Sequence, residues 1–229
     1  MKSISLAPYA SMDIRADADL SGKLAALFGA RPIDIAVETG THLGTGSTRI
    51  IADAFVASGC LPRTFWTIEA NHGFWTQAKA NLAGYKFVRP LWGCSVRASE
   101  ARTFMLNDEA LLHPERFPDV YIDDYSNPLT GYAAEATSGG EEDLLRKKLT
   151  SCKPDDYPFV ALDSAGGLGW LEFKIVEETL RDRDYLLFLD DIEHIKHFRS
   201  FAFVQMCQRD DWEVLLQKDG WAICRHRAV

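Results

Sequence analysis

The chain has 229 residues, 47% hydrophobic and 25% charged, enough to bury a sizeable core in one α/β domain spanning 1–229. Its 25 Lys and Arg against 33 Asp and Glu give a formal charge of -8 with the basic residues scattered, which argues against a phosphate-binding nucleic-acid surface and for a small-molecule partner. Cys60, Cys94, Cys152, Cys207 and Cys224 form an odd set with no close pair, so they read as reduced core thiols rather than a zinc pattern or a disulfide framework.

The first twenty residues lack the continuous apolar stretch of a signal peptide, and no later segment reaches membrane-spanning length. The expected location is the cytoplasm, with no membrane partner and with assembly into a homo-oligomer left open.

In chain order, a first apolar run, Ile33–Thr39 (IDIAVET), is followed by a glycine-rich loop and a helical pattern over Gly46–Ser58. Gly40, Gly44 and Gly46 let backbone N–H groups approach a phosphate, carboxylate or ribose beside a helix N-terminus, although a tight turn explains glycines equally well. No frame of GTHLGTG satisfies G-x-G-x-x-G, which disfavours a simple NAD site. A second strand, Arg63–Ala70 (RTFWTIEA), places Glu69 at its tip. A carboxylate there can accept both ribose hydroxyls of a nucleoside ligand, the plainer alternative being a cap for the helix predicted over His72–Ala83.

A third strand, Lys86–Gly93, and a helix over Arg97–Leu112 come next. Residues 117–149 then break the rhythm with Pro, Ser and Gly punctuation, ending in a short helix at EEDLLRKKL. A connection of this length is expected to be an insertion or lid, with Tyr121, Tyr125 and Tyr132 packing it over the site or onto the domain. Strands at PFVALDS and YLLFLDD follow, with helices over Gly169–Arg181 and His194–Cys207. Finally WEVLLQ and WAICRH flank KDG, whose Asp-Gly pair favours a tight hairpin, so the parallel sheet ends in an antiparallel strand.

The blocks VETGTHLGTGS, TIEAN and LWGCS together resemble the class I S-adenosylmethionine-dependent methyltransferases over about Ile33–Ser95. The resemblance implies a doubly wound, Rossmann-like α/β sheet of seven strands, mostly parallel with the last antiparallel. It also implies S-adenosylmethionine as cofactor. Glu38, Gly40 and Ser47 would line its methionine side, Glu69 its ribose, and Cys94 and Ser95 its adenine edge, with Thr41, Gly44, Ala70 and Asp163 also bordering the cofactor. The family commonly has an acid where Cys94 stands.

Asp163 ends the fourth predicted strand, and Asp190 and Asp191 end the fifth. In the methyltransferase strand order these strands are neighbours, so three carboxylates meet at the cofactor rim, where their repulsion is relieved by a cation. An all-oxygen set suits Mg²⁺ or Mn²⁺ better than Zn²⁺. This pattern resembles the metal-dependent O-methyltransferases, closest to the macrocin-type enzymes and the cephalosporin hydroxylase group. The catechol-type Lys, three residues after the first acid, is replaced here by Gly166. The bland readings are that Asp191 caps a helix, Asp190 pairs with Lys196 or an Arg, and Asp163 is a turn residue.

His194, just past the acidic pair, is the candidate general base, while His197 reads as a surface or packing residue and His42 as lining the site or facing solvent. The expected chemistry is methyl transfer from the sulfonium to an oxygen of a small hydroxylated acceptor. The alternatives are a non-catalytic nucleotide- or cofactor-binding protein and a related hydroxylase.

Overall fold

The computed structural model describes residues 18–122, 139–164, 166–207, 211–218 and 220–228. Seven strands, β1 (Ile35–Thr39), β2 (Thr64–Glu69), β3 (Val88–Trp92), β4 (Pro158–Leu162), β5 (Tyr185–Asp190), β6 (Trp212–Lys218) and β7 (Trp221–His226), form one sheet in the order β3-β2-β1-β4-β5-β7-β6. The β1–β2, β1–β4, β2–β3 and β4–β5 pairs are parallel, and β7 runs antiparallel to both β5 and β6. The expected reversed strand is therefore β7, inserted between β5 and β6. Gly220 in the turn has φ +85°, a conformation that suits glycine, while Asp219 lies outside the described residues.

Strand order fixes where a ligand can bind. The chain leaves β1 for β2 on one side and returns through β4 on the other, so the carboxyl ends of β1 and β4 flank the topological switch point. Central strands are rich in apolar residues because both faces are covered: every residue of β1 and of β4 is buried, Glu38 and Thr39 included. Alternation along β1 sends Ile35 and Val37 into one core with Ile175, Val176 and Leu187, and Ala36 into the other with Phe28, Phe55 and Phe159.

Eight α-helical segments cover the two faces among the described residues: α1 (Ala18–Ala30), α2 (Ser47–Ser58), α3 (His72–Asn81), α4 (Ala98–Asn107), the single turn α5 (Glu109–Leu112), α6 (Leu144–Thr150), α7 (Gly169–Leu180) and α8 (Phe198–Met206). Three depart from the expectation. Helix α1 was not predicted; it docks on α2 through Phe28 stacked on Phe55 at 4.1 Å between ring centroids. The helix predicted over Arg97–Leu112 is cut at Asp108, which is extended (φ -78°, ψ 117°) and whose side chain accepts from the N–H groups of Ala110 and Leu111. The helix predicted from His194 begins only at Phe198, since Asp191 at φ +54° turns the chain first.

Segment 117–149 is tied down at both ends. Tyr121 exchanges backbone bonds with the loop after β5, from its N–H to Glu193 O and from Ile195 N–H to its O. At the other end the Cys94 N–H donates to Glu141 O at 2.8 Å beyond β3, ahead of α6. Tyr125 and Tyr132 lie outside the described residues. The five cysteines stand as thiols; Cys94, Cys152 and Cys224 are buried, whereas Cys60 and Cys207, expected in the core, are only partly so. No helix among the described residues is long and apolar enough to cross a membrane.

Candidate functional site

The glycine loop folds back over the ends of β1 and β2. The N–H groups of Gly40 and Thr41 both donate to Ile68 O, and the His42 N–H donates to Glu69 Oε2 at 2.6 Å. Gly40 has φ +87°, and a Cβ there would sit 2.1 Å from the carbonyl oxygen of Asp163, so only glycine lets the loop cross the end of β4. At Gly44 (φ +67°) a Cβ would meet Leu82 at 2.8 Å, so that glycine serves packing against α3. Gly46 precedes α2, its carbonyl accepting from Arg49 and Ile50. His42 is exposed at φ +50°, its ring edge-on to Phe74.

Glu69 is neither free nor the helix cap. Asn71 caps α3, its side chain accepting from Gly73 and Phe74, whereas Glu69 Oε1 accepts the Asn71 N–H at 2.7 Å and Oε2 holds the loop. Burial raises the Glu69 pKa, and the Asn71 and His42 N–H groups work in the opposite direction. A carboxylate has about four lone-pair sites, so two backbone donors leave capacity for two hydroxyls. Ala70 lies beside it, its carbonyl accepting the indole N–H of Trp92 at 3.2 Å, and Trp92 is 38% exposed.

Glu38 lies on the α2 face of β1 and is fully buried. Thr48, Thr67 and Ser47 surround it at 2.6, 2.8 and 2.9 Å, and Thr41 Oγ1 adjoins Thr67 Oγ1. Burial pushes its pKa up to about 8 despite those hydroxyls. Ser47 Oγ also lies 2.8 Å from Asp163 Oδ2, so Glu38, Ser47, Asp163 and the loop form one connected group.

The three acids do converge. One carboxylate oxygen from each of Asp163, Asp190 and Asp191 lies within 4.8 Å of the others. Lys196 joins them, its Nζ 2.6 Å from Asp191 Oδ2 and 3.7 Å from Asp163 Oδ1. Burial opposes the lysine charge, but Asp163 and Asp191 outweigh it and raise the Lys196 pKa. Burial raises both Asp163 and Asp190, and the two carboxyls hydrogen-bond each other, with Asp190 the protonated partner well above the usual carboxylate range. The oxygen-only donor set fits Mg²⁺ or Mn²⁺ in chemistry, and such an ion would take the place Lys196 now fills. Asp191 pairs with Lys196 rather than capping a helix.

His194 is buried beside Tyr121, and its Nδ1 accepts the Lys196 N–H at 3.2 Å. Neutral imidazole with Nδ1 accepting carries its proton on Nε2, so in this placement the ring orders the Lys196 turn and has no free lone pair for an acceptor proton. His197 is a packing residue, fully buried with its Nδ1 3.4 Å from Ser200 Oγ.

On the opposite face of β1 stands a further carboxylate, outside the residues expected at the site. Glu172 of α7 is fully buried and accepts from Thr39 Oγ1 (2.9 Å), Ser164 Oγ (2.7 Å) and Ser95 Oγ. It ties together the ends of β1 and β4 and the segment after β3. Ser95, expected at the adenine edge, is thus turned toward Glu172, and Cys94 lies under the end of the insertion, its thiol 3.9 Å from Gly139 O. The signal was present: Glu172 shares the buried stripe of α7 with Phe173, Ile175 and Val176.

No family model matches the chain, and no curated protein matches it. Solved structures do. The O-methyltransferase TomG from Streptomyces achromogenes, involved in tomaymycin synthesis and determined in complex with SAM, is 17% identical, with 95% of this chain and 83% of that one covered at a TM-score of 0.54. The O-methyltransferase from Bacillus cereus, in complex with SAH, is 12% identical, with 90% and 80% covered at a TM-score of 0.50. The chain has the Rossmann-like fold of these O-methyltransferases.

Proposed function

We propose that the chain is an S-adenosylmethionine-dependent O-methyltransferase acting on a small hydroxylated acceptor. The observation that carries this reading is the pinned glycine loop, held between Glu69 at the end of β2 and Asp163 beyond β4, at the switch point of a fold shared with O-methyltransferases solved with SAM and SAH. In this reading Glu69 accepts the ribose hydroxyls with its remaining lone pairs, beside Ala70. Gly40, Thr41, Gly44, Ser47 and Glu38 shape the wall for the methionine end, and Cys94 and Ser95, whose side chains turn to Gly139 and Glu172, border the adenine side through their backbone.

The sulfonium is already a strong electrophile, so the protein's task is alignment and removal of the acceptor proton. Asp163, with Asp190 and Asp191, sits at adjacent strand ends where an acceptor hydroxyl would meet the methyl group. Those three would hold Mg²⁺ or Mn²⁺, which would lower the pKa of a bound acceptor hydroxyl. Lys196, on the turn ordered by His194, sets its ammonium against Asp191 and Asp163.

The test is calorimetry of the full chain with S-adenosylhomocysteine. Micromolar-range binding with one site is expected. No heat at high micromolar concentration, with the fold intact by circular dichroism, overturns the reading and favours a binding protein for some other nucleotide.

A further inference from the structure

A second group of potential ligands lies at the other end of the sheet. Tyr185 opens β5, and register places it opposite His226 of β7, which in turn faces Trp212 of β6. Asp190 and the rim are five residues further along β5, roughly 17 Å away at about 3.3 Å per residue. Around His226 stand Asp211, just before β6, and Glu177 of α7. One ligand atom from each of Glu177, Asp211 and His226 lies within 4.8 Å of the others.

Geometry at the imidazole is specific. His226 Nδ1 is 2.8 Å from Arg183 O, and a carbonyl only accepts, so Nδ1 carries hydrogen. In the neutral ring the Nε2 lone pair then points at Asp211 Oδ2 at 3.4 Å. Two acceptors at that separation require something positive between or upon them. A tetrahedral ion with bonds of about 2.0–2.1 Å has ligand–ligand edges of about 3.4 Å. A backbone carbonyl holding the far nitrogen is also the usual way a metal-binding histidine is oriented.

An independent feature marks a missing partner. The Tyr185 hydroxyl is fully buried with no hydrogen-bond partner among the described residues. Its ring stacks on His226 at 4.8 Å and its oxygen lies in the field of Glu177 and Asp211. A buried, unpartnered hydroxyl is unfavourable, and a water on an ion held by these ligands would donate to it. Glu177 lies on α7 next to the exposed Glu178, yet it is half-buried and turned to this group.

We infer that Glu177, Asp211 and His226 bind one divalent transition-metal ion of the zinc class, with the fourth position taken by water beside Tyr185. One imidazole and two carboxylates suit zinc better than magnesium or calcium. The ligands come from α7 and from the ends of β6 and β7, so the ion clips the C-terminal hairpin to the helix covering β5. It is a structural staple separate from the rim.

The experiment uses the full chain stripped with chelator and titrated with zinc chloride alone, followed by calorimetry and melting, with cobalt(II) as a spectroscopic probe. Wild type is expected to bind one equivalent tightly, to melt higher with zinc, and to show a cobalt spectrum without a thiolate charge-transfer band. Because His226 substitutions disturb the core, the informative variants are Glu177→Gln and Asp211→Asn, each expected to weaken zinc at least tenfold while melting normally in chelator. Asp163→Asn, at the rim, is expected to leave this affinity unchanged. No tight equivalent in wild type would overturn the site in favour of a plain His226–Asp211 ion pair. Undiminished binding in both variants, or a thiolate band, would overturn it as well.

Discussion

Glu38 and Asp163 share one hydroxyl. Ser47 Oγ lies 2.9 Å from Glu38 Oε1 and 2.8 Å from Asp163 Oδ2, and a serine has a single proton to give. Its one proton serves both charged carboxyls poorly, and a proton on one of them, donated to the serine oxygen, relieves the competition. The elevated Glu38 pKa makes Glu38 the donor near neutral pH, with Ser47 passing its own proton to Asp163. Ser47→Ala should cost about 1–3 kcal/mol in urea unfolding, the penalty of buried carboxyls left without their partner. In a Glu38→Gln background the same change should cost measurably less, because the coupling is then already broken.

Stability should fall as pH rises through neutrality. The folded Glu38 pKa, about 8, lies above the unfolded value of 4.5, so between these limits the folded state holds the extra proton. The stabilisation is fully present below 4.5 and is lost as pH passes 8, with a slope of at most about 1.4 kcal/mol per pH unit from this group. Melting temperatures from pH 5 to 9 should decline in wild type and decline less steeply in Glu38→Gln, where the raised carboxyls of Asp163 and Asp190 still contribute. Equal profiles would show that Glu38 is charged in the folded protein.

Two loop glycines should respond in opposite ways. Gly40→Ala drives a Cβ into the Asp163 carbonyl and demands a left-handed alanine, so a loss of at least about 2–3 kcal/mol and of cofactor binding is expected. A Cβ at Gly46 meets nothing within 4 Å and its φ is -96°, so Gly46→Ala should change binding less than twofold. Chemical denaturation and calorimetry on the two variants check both halves.

Lys196 and a divalent ion compete for the same carboxylates. Wild type should show a small rise in melting temperature with Mg²⁺ or Mn²⁺, Lys196→Ala a larger one, and Lys196→Ala with Asp163→Asn none. A Lys196→Ala protein whose melting ignores both ions and chelator would rule out a metal at the rim.

Glu69 both holds the loop and, in the proposed function, meets the ribose. Glu69→Gln keeps an acceptor for one backbone donor and loses the charge, so S-adenosylhomocysteine affinity should drop about tenfold or more, on the basis of roughly 1.5–3 kcal/mol for a charged hydrogen bond. If affinity is unchanged by calorimetry, the ribose lies elsewhere.

All seven strands were legible because apolar runs bounded by turn residues need no distant information, and the carboxyl-end acids followed from strand order. What escaped the sequence depends on contacts between remote segments. The break at Asp108 is an N-cap that periodicity overrides, since the apolar pattern continues through Leu111 and Leu112. Helix α1 carries Gly22 and Gly29, which dilute its pattern, and it is secured by Phe28 against Phe55. Glu172 needed three hydroxyls from three other segments before its burial made sense. Lys196 was visible as a partner for an aspartate, but not as the cation seated among three.

The insertion of β7 between β5 and β6 has a consequence for biosynthesis. Strand β5 is apolar along its buried length, and until residues 221–226 have been synthesised its outer edge has no strand to pair with. During translation the nascent chain therefore carries an open, sticky sheet margin through the whole of α8 and β6, a period in which chaperone capture or edge-to-edge association competes with completion of the fold.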